Sequence, residues 1–155
     1  MDGRALGQLI QTLHESAGLP GRVGYSARMS HFTTVKTRLV IREHLLAALR
    51  DLKLQFEEGD VRVRGHLAQT ERADIRIPTR NPEYDIGFRQ VGEAFECIAD
   101  WEGVRGFKQA TFLQQVTQRY AYHAACQKLS EQGFALASEE VSKEGRIHLV
   151  LRRSA

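Results

Sequence analysis

Apolar and polar positions alternate most plainly between Tyr84 and Trp101. Tyr84, Ile86 and Phe88 take one side against Asp85, Gly87 and Arg89, the period-two pattern of a strand with one buried face. Phe95, Cys97, Ala99 and Trp101 repeat it beyond Gly92, so Gln90–Glu93 is predicted to link a hairpin. Gly103 and Gly106 then bracket a turn, and a helix is predicted from Phe107 to Glu131, stopped by Gly133. At helical spacing Ala110, Leu113, Val116, Thr117, Tyr120, Ala121, Ala124 and Ala125 form its apolar stripe. Gln115, Gln118, Tyr122 and Cys126 fall opposite, which leaves Tyr122 as an exposed aromatic.

Before this stretch, Leu6, Leu9, Ile10 and Leu13 share one side of a short predicted helix that Gly18–Gly21 ends. Residues 1–28 therefore read as an appended arm, with Met29 as an alternative start, ahead of a single domain over residues 29–155. His31–Thr37 is β-prone, and Ile41–Leu52 is helical with Leu45, Leu46, Leu49 and Leu52 on one side. Leu54–Glu57 and Val61–Arg64 are predicted to form a hairpin around Glu58-Gly59-Asp60. Ala73, Ile75 and Ile77 mark a strand ended by Pro78, and Phe134–Val141 with Arg146–Leu151 form a closing hairpin. Both ends follow the order strand, helix, strand, strand. The expected fold class is α+β, a mainly antiparallel sheet with two helices on one face. Its other face is then partly open and carries Arg62, Arg64, Asp74, Arg76, Asp85 and Arg89.

The 155 residues suffice for one domain with a hydrophobic core. Twenty-two basic residues against 19 acidic ones leave a net charge of only +3, so nothing in the balance calls for nucleic acid. Cys97 and Cys126 belong to no paired motif, which fits free thiols in a reducing, cytoplasmic setting. No apolar run reaches the ~20 residues of a membrane span, and the opening residues lack a signal-peptide core.

Candidate chemistry is sparse. His31, His66, His123, Cys97 and Cys126 match no metal-ligand spacing, and no phosphate-binding loop is present, so neither metal nor cofactor is expected. Asp74, Asp85 and Asp100 stand on separate strands and offer a small enzyme reading. Pairing with Arg62, Arg76 or Arg89 explains them more simply, at roughly 0.2–1 kcal/mol per pair. The leading reading is a non-catalytic binding or adaptor module. Arg62, Arg64, Arg76 and Arg89 would steer an acidic protein partner, while Tyr122 and Arg119 offer a second contact surface. The alternative is single-stranded nucleic acid on the open sheet face, weakened because Tyr84 and Phe88 point inward. A second copy of the chain is another candidate to cover that face.

The pieces MSHFTTVKT from Met29, VRGH, ADI, YDIGF, ADW before a glycine turn, QRYAY and the GF at Gly133 run in order along the chain. With them, the sequence from Met29 onward resembles the hypothetical chloroplast reading frame thirty-five (Ycf) proteins of cyanobacteria and red-algal plastids. Members of that family usually begin at the equivalent of Met29, which agrees with an appended arm. The resemblance implies a small soluble protein of cyanobacterial or plastid-like setting, accessory to an AAA-type ATPase. It carries over no catalytic residue.

Overall fold

The computed structural model describes residues 31–153; the arm expected over residues 1–28 lies outside them. The elements are β1 (Thr33–Lys36), α1 (Arg42–Asp51), β2 (Glu57–Arg64), β3 (Thr70–Pro78), β4 (Asp85–Val91), β5 (Ala94–Ala99), α2 (Gln109–Glu131), β6 (Phe134–Val141) and β7 (Ile147–Arg153). Five strands make an antiparallel sheet in the order β1-β5-β4-β3-β2, and β6 pairs with β7 as a separate two-stranded sheet. This is the expected α+β class. Among the described residues no helix is long and apolar enough to cross a membrane.

The alternation seen in sequence sets one face of the large sheet. Ile75 lies across from Phe88, Ile77 from Ile86, and Phe88 from Cys97. These side chains pack with Leu45 and Leu49 of α1 and with Phe112, Leu113 and Val116 of α2 in one core. Burying each large apolar side chain contributes roughly 1.5–3 kcal/mol. The helix stripe is shifted from the expected one: Phe112 is buried, whereas Ala110 and Ala125 are exposed. Trp101 packs against this core, its ring 6.0 Å from that of Phe112.

Helix α1 starts after Ile41, a residue whose side chain cannot accept a hydrogen bond. The vacant role passes to α2. Tyr120 Oη accepts from the backbone N–H groups of Val40 and Ile41 at 3.0 and 2.9 Å, two donors that the chain leaves without a local side-chain cap. One phenol thus locks the two helices together.

The expected hairpin at Glu58-Gly59-Asp60 does not form. Glu58 lies across from Ile75 and Val61 from Ala73, so three steps along β2 match two along β3. The extra residue is a bulge, and Gly59 takes a φ of +120° that favours glycine. The strand therefore continues instead of reversing, bends, and touches β4 and β5 as well as β3. As a consequence the second sheet face is closed. Val63, Ala73 and Ile98 form a buried cluster there, with Phe32 and Val61 packed on it.

Candidate functional site

Three of the four arginines expected to point outward from the sheet are drawn into ion pairs. Arg64 donates from Nε and Nη2 to the two carboxylate oxygens of Asp85, and its backbone N–H joins them at 2.9 Å. Arg76 pairs with Glu57 at 2.7 Å and lies 4.0 Å from the same Asp85. Arg89 reaches Glu96 at 3.5 Å and Glu71 at 3.8 Å. Arg62 is exposed and makes no ion pair among the described residues. Of the aspartates, Asp74 accepts from the Gln90 N–H, and Asp85 and Asp100 are both buried. The three carboxylates serve different local partners and build no acid–base pair.

Tyr122 and Arg119 occupy a different surface. Helix α2 ends at Gly133, whose φ of +86° turns the chain back, and the β6–β7 hairpin folds along the helix as far as Gln118, which donates to the Gly145 carbonyl. Tyr122 is consequently half-buried instead of exposed. The Arg119 guanidinium covers its ring at 4.2 Å from the centroid. Burial and the nearby Glu139 carboxylate push the Tyr122 hydroxyl up to about 12, so it stays neutral. Arg119 also binds Asp51 of α1 at 2.7 Å and Glu139 of β6 at 3.1 Å, and His123 meets Asp51 at 2.6 Å. This network ties α1, α2 and the hairpin together.

The network makes stability acid-sensitive. Burial raises the Asp51 carboxyl, but hydrogen bonds from Arg119 and His123 outweigh it and hold the group below its ordinary value. The Arg119 hydrogen bond does the same for Glu139. Folded values below the unfolded ones mean that the stabilisation is complete above the ordinary carboxylate range, about pH 4–5, and is lost as pH falls through the folded values. Arg119→Gln should lower stability by about 1 kcal/mol at neutral pH, and the gap from wild type should shrink on acidification. Urea midpoints at neutral pH and below pH 4 test this; an equal gap at both would remove the Arg119 linkage.

Between α2 and the hairpin lies a cleft of 480 Å³ whose walls include Tyr122, Cys126, Leu129, Phe134, Leu136 and Leu151. Leu136 is 43% exposed at its mouth, whereas Val150, next to Leu151 in β7, is 54% exposed on the opposite face of the hairpin. No hydrogen bond joins Cys126 to His123 among the described residues, whose ring nitrogen Nε2 is committed to Asp51.

A third group meets beyond the end of β5. Asp100 is 1% exposed; its Oδ2 accepts from the His66 backbone N–H at 3.1 Å, while Oδ1 is buried without a hydrogen-bond partner among the described residues. The His31 ring lies 4.5 Å from the His66 ring, and His31 Nδ1 is 3.4 Å from Glu102 Oε2. One atom from each of His31, Asp100 and Glu102 falls within 4.8 Å of the others. No sequence spacing groups them, and Glu102, between Trp101 and Gly103, belongs to no ligand motif. The available signal was that MSHFTTVKT, VRGH and ADW, far apart in the chain, each place a residue here.

The chain matches the family described as "Protein of unknown function (DUF1257)" over residues 48–150. It is 36% identical to "Uncharacterized protein ycf35" of Cyanophora paradoxa over 128 residues, 81% of this chain and 98% of that protein. The proteins of the same name from Guillardia theta and Pyropia yezoensis are 36% and 29% identical over the same shares. No solved structure matches it. The chain belongs to the ycf35 (DUF1257) family.

Proposed function

We infer that this protein is a non-catalytic binding module that takes an apolar side chain of a protein partner into the cleft between α2 and the β6–β7 hairpin. The observation that carries the reading is the cleft itself. Its walls are largely aliphatic and aromatic, with the neutral Tyr122 phenol, His123, Ser130 and the Cys126 thiol as polar points, a make-up that suits an anchoring side chain. Leu136, itself 43% exposed, carries the apolar wall outward to solvent. A two-stranded sheet also keeps unpaired edges, which favours added contact with an extended segment.

The arginine face supports this reading only weakly, since Arg64, Arg76 and Arg89 are already matched by carboxylates and Arg62 alone is left to steer an acidic partner. The family resemblance suggests an AAA-type ATPase as the first partner to try. Two free cysteines support a reducing, cytoplasmic setting.

The test is binding of a purified AAA-type ATPase, and of partners captured from a native lysate, to wild type, Leu136→Asp and Arg62→Glu. Leu136→Asp should weaken binding by about tenfold or more, as loss of an interface anchor does. Arg62→Glu should have a small, salt-dependent effect. Equal recovery by wild type and Leu136→Asp would refute the cleft as the docking surface.

A further inference from the structure

We propose that His31, Asp100 and Glu102 form a binding site for a divalent transition-metal ion of the zinc class. The site is distinct from the cleft beside Tyr122 and stands whether or not that cleft binds a partner. Three observations support it. The first is the donor set. One imidazole nitrogen with two carboxylate oxygens, all within 4.8 Å of one another, suits zinc, cobalt or manganese, whereas calcium and magnesium take oxygen ligands alone.

The second is spacing. Metal–ligand bonds of about 2.0–2.2 Å in a tetrahedron put neighbouring ligand atoms about 3.4 Å apart. His31 Nδ1 and Glu102 Oε2 are already 3.4 Å apart. The Glu102 side chain is 85% exposed and that of His31 37% exposed, so both can swing inward to complete the set around a fixed Asp100.

The third is an unmet need. Asp100 is almost fully buried, and its Oδ1 has no donor among the described residues. Leaving a carboxylate oxygen out of water without a partner is costly. The His31–Glu102 contact supplies that oxygen with no hydrogen bond. An ion between the three residues would satisfy Asp100 and turn that pair into two ligands. Meanwhile the His66 N–H on Oδ2 fixes the carboxylate plane, the orienting role that hydrogen bonds to ligands commonly play. Three protein ligands leave a fourth position to water.

The experiment uses tag-free, chelator-stripped full-length protein, titrated with zinc chloride by calorimetry and with cobalt chloride by visible absorption. Wild type should take up one zinc per chain, show cobalt absorption bands, and melt at higher temperature with zinc present. His31→Ala and Glu102→Gln change exposed side chains and should fold normally, which their metal-free urea midpoints check. Each should weaken zinc binding by about tenfold or more. Asp100→Asn should act in the same direction, though burial makes it a less clean variant. Absence of saturable uptake at millimolar zinc would overturn the proposal and leave a water molecule as the partner of Asp100. So would zinc affinity unchanged in both His31→Ala and Glu102→Gln, because the ion would then sit elsewhere.

Discussion

Asp85→Asn is expected to lower the free energy of unfolding by about 3 kcal/mol, the lower end of the range for breaking a buried ion pair. The carboxylate has no exposed surface. It receives the Arg64 backbone N–H at 2.9 Å, Nε at 2.8 Å and Nη2 at 2.9 Å, and Arg76 stands 4.0 Å away. An asparagine of the same size keeps one acceptor oxygen but turns an amide N–H₂ toward guanidinium donors. Because the Arg64 side chain is 41% exposed, its charge recovers part of its hydration, which places the loss at the low end. The backbone N–H of Arg64 has no such escape. Urea unfolding followed by Trp101 fluorescence measures the effect, and Arg64→Leu with the double variant completes a cycle. Direct contact predicts that the double variant loses clearly less than the sum of the singles. A loss near zero for Asp85→Asn would mean that the pair does not pin β2 to β4.

That pair also explains why the sheet was legible and its far face was not. Ile75, Ile77, Ile86, Phe88, Cys97 and Ala99 keep a strict period of two, and their placement on the helix side follows from that alone. Gly59 is different. A glycine between an acidic pair reads equally as a turn or a bulge, because both conformations exploit its freedom at positive φ. The choice is made at a distance, by Val63 finding Ala73 and Ile98 and by Arg64 finding Asp85. Local propensity contains neither contact. The same holds for Tyr120, whose ring fits the apolar stripe of α2 but whose hydroxyl caps another helix 79 residues away.

Candidate sites were less legible still, for the same physical reason. Arg119 was visible as a charge beside Tyr122. Its division between Asp51 and Glu139, separated from it by 68 and 20 residues, depends on how α1 and β6 dock. His31, Asp100 and Glu102 converge through the β1–β5 pairing, which sets Thr33 across from Ala99 and so brings the residues just outside both strands together. Pairing register is a tertiary property, and metal-ligand spacing rules built on short loops do not detect it.

Gly87→Ala should cost about 2–3 kcal/mol, near the upper end for overpacking a well-filled interior. The backbone there lies outside the left-handed region, so alanine meets no conformational penalty. The obstacle is space: a Cβ would collide with Val63 Cγ2 and sit 3.1 Å from Ala73 Cβ and 3.2 Å from the Ile75 carbonyl oxygen. Val63 cannot turn aside cheaply, since it is β-branched and fully buried. Either β2 lifts from β4, which strains the Arg64–Asp85 bonds, or the central strands part. Val63→Ala alone leaves a cavity and is destabilising by its own mechanism, but it removes the colliding methyl. The double variant Val63→Ala/Gly87→Ala should therefore be at least about 1 kcal/mol more stable than the sum of the two single losses predicts. Additive losses would mean that β2 does not cross over Gly87, and the closed far face of the sheet would have to be abandoned.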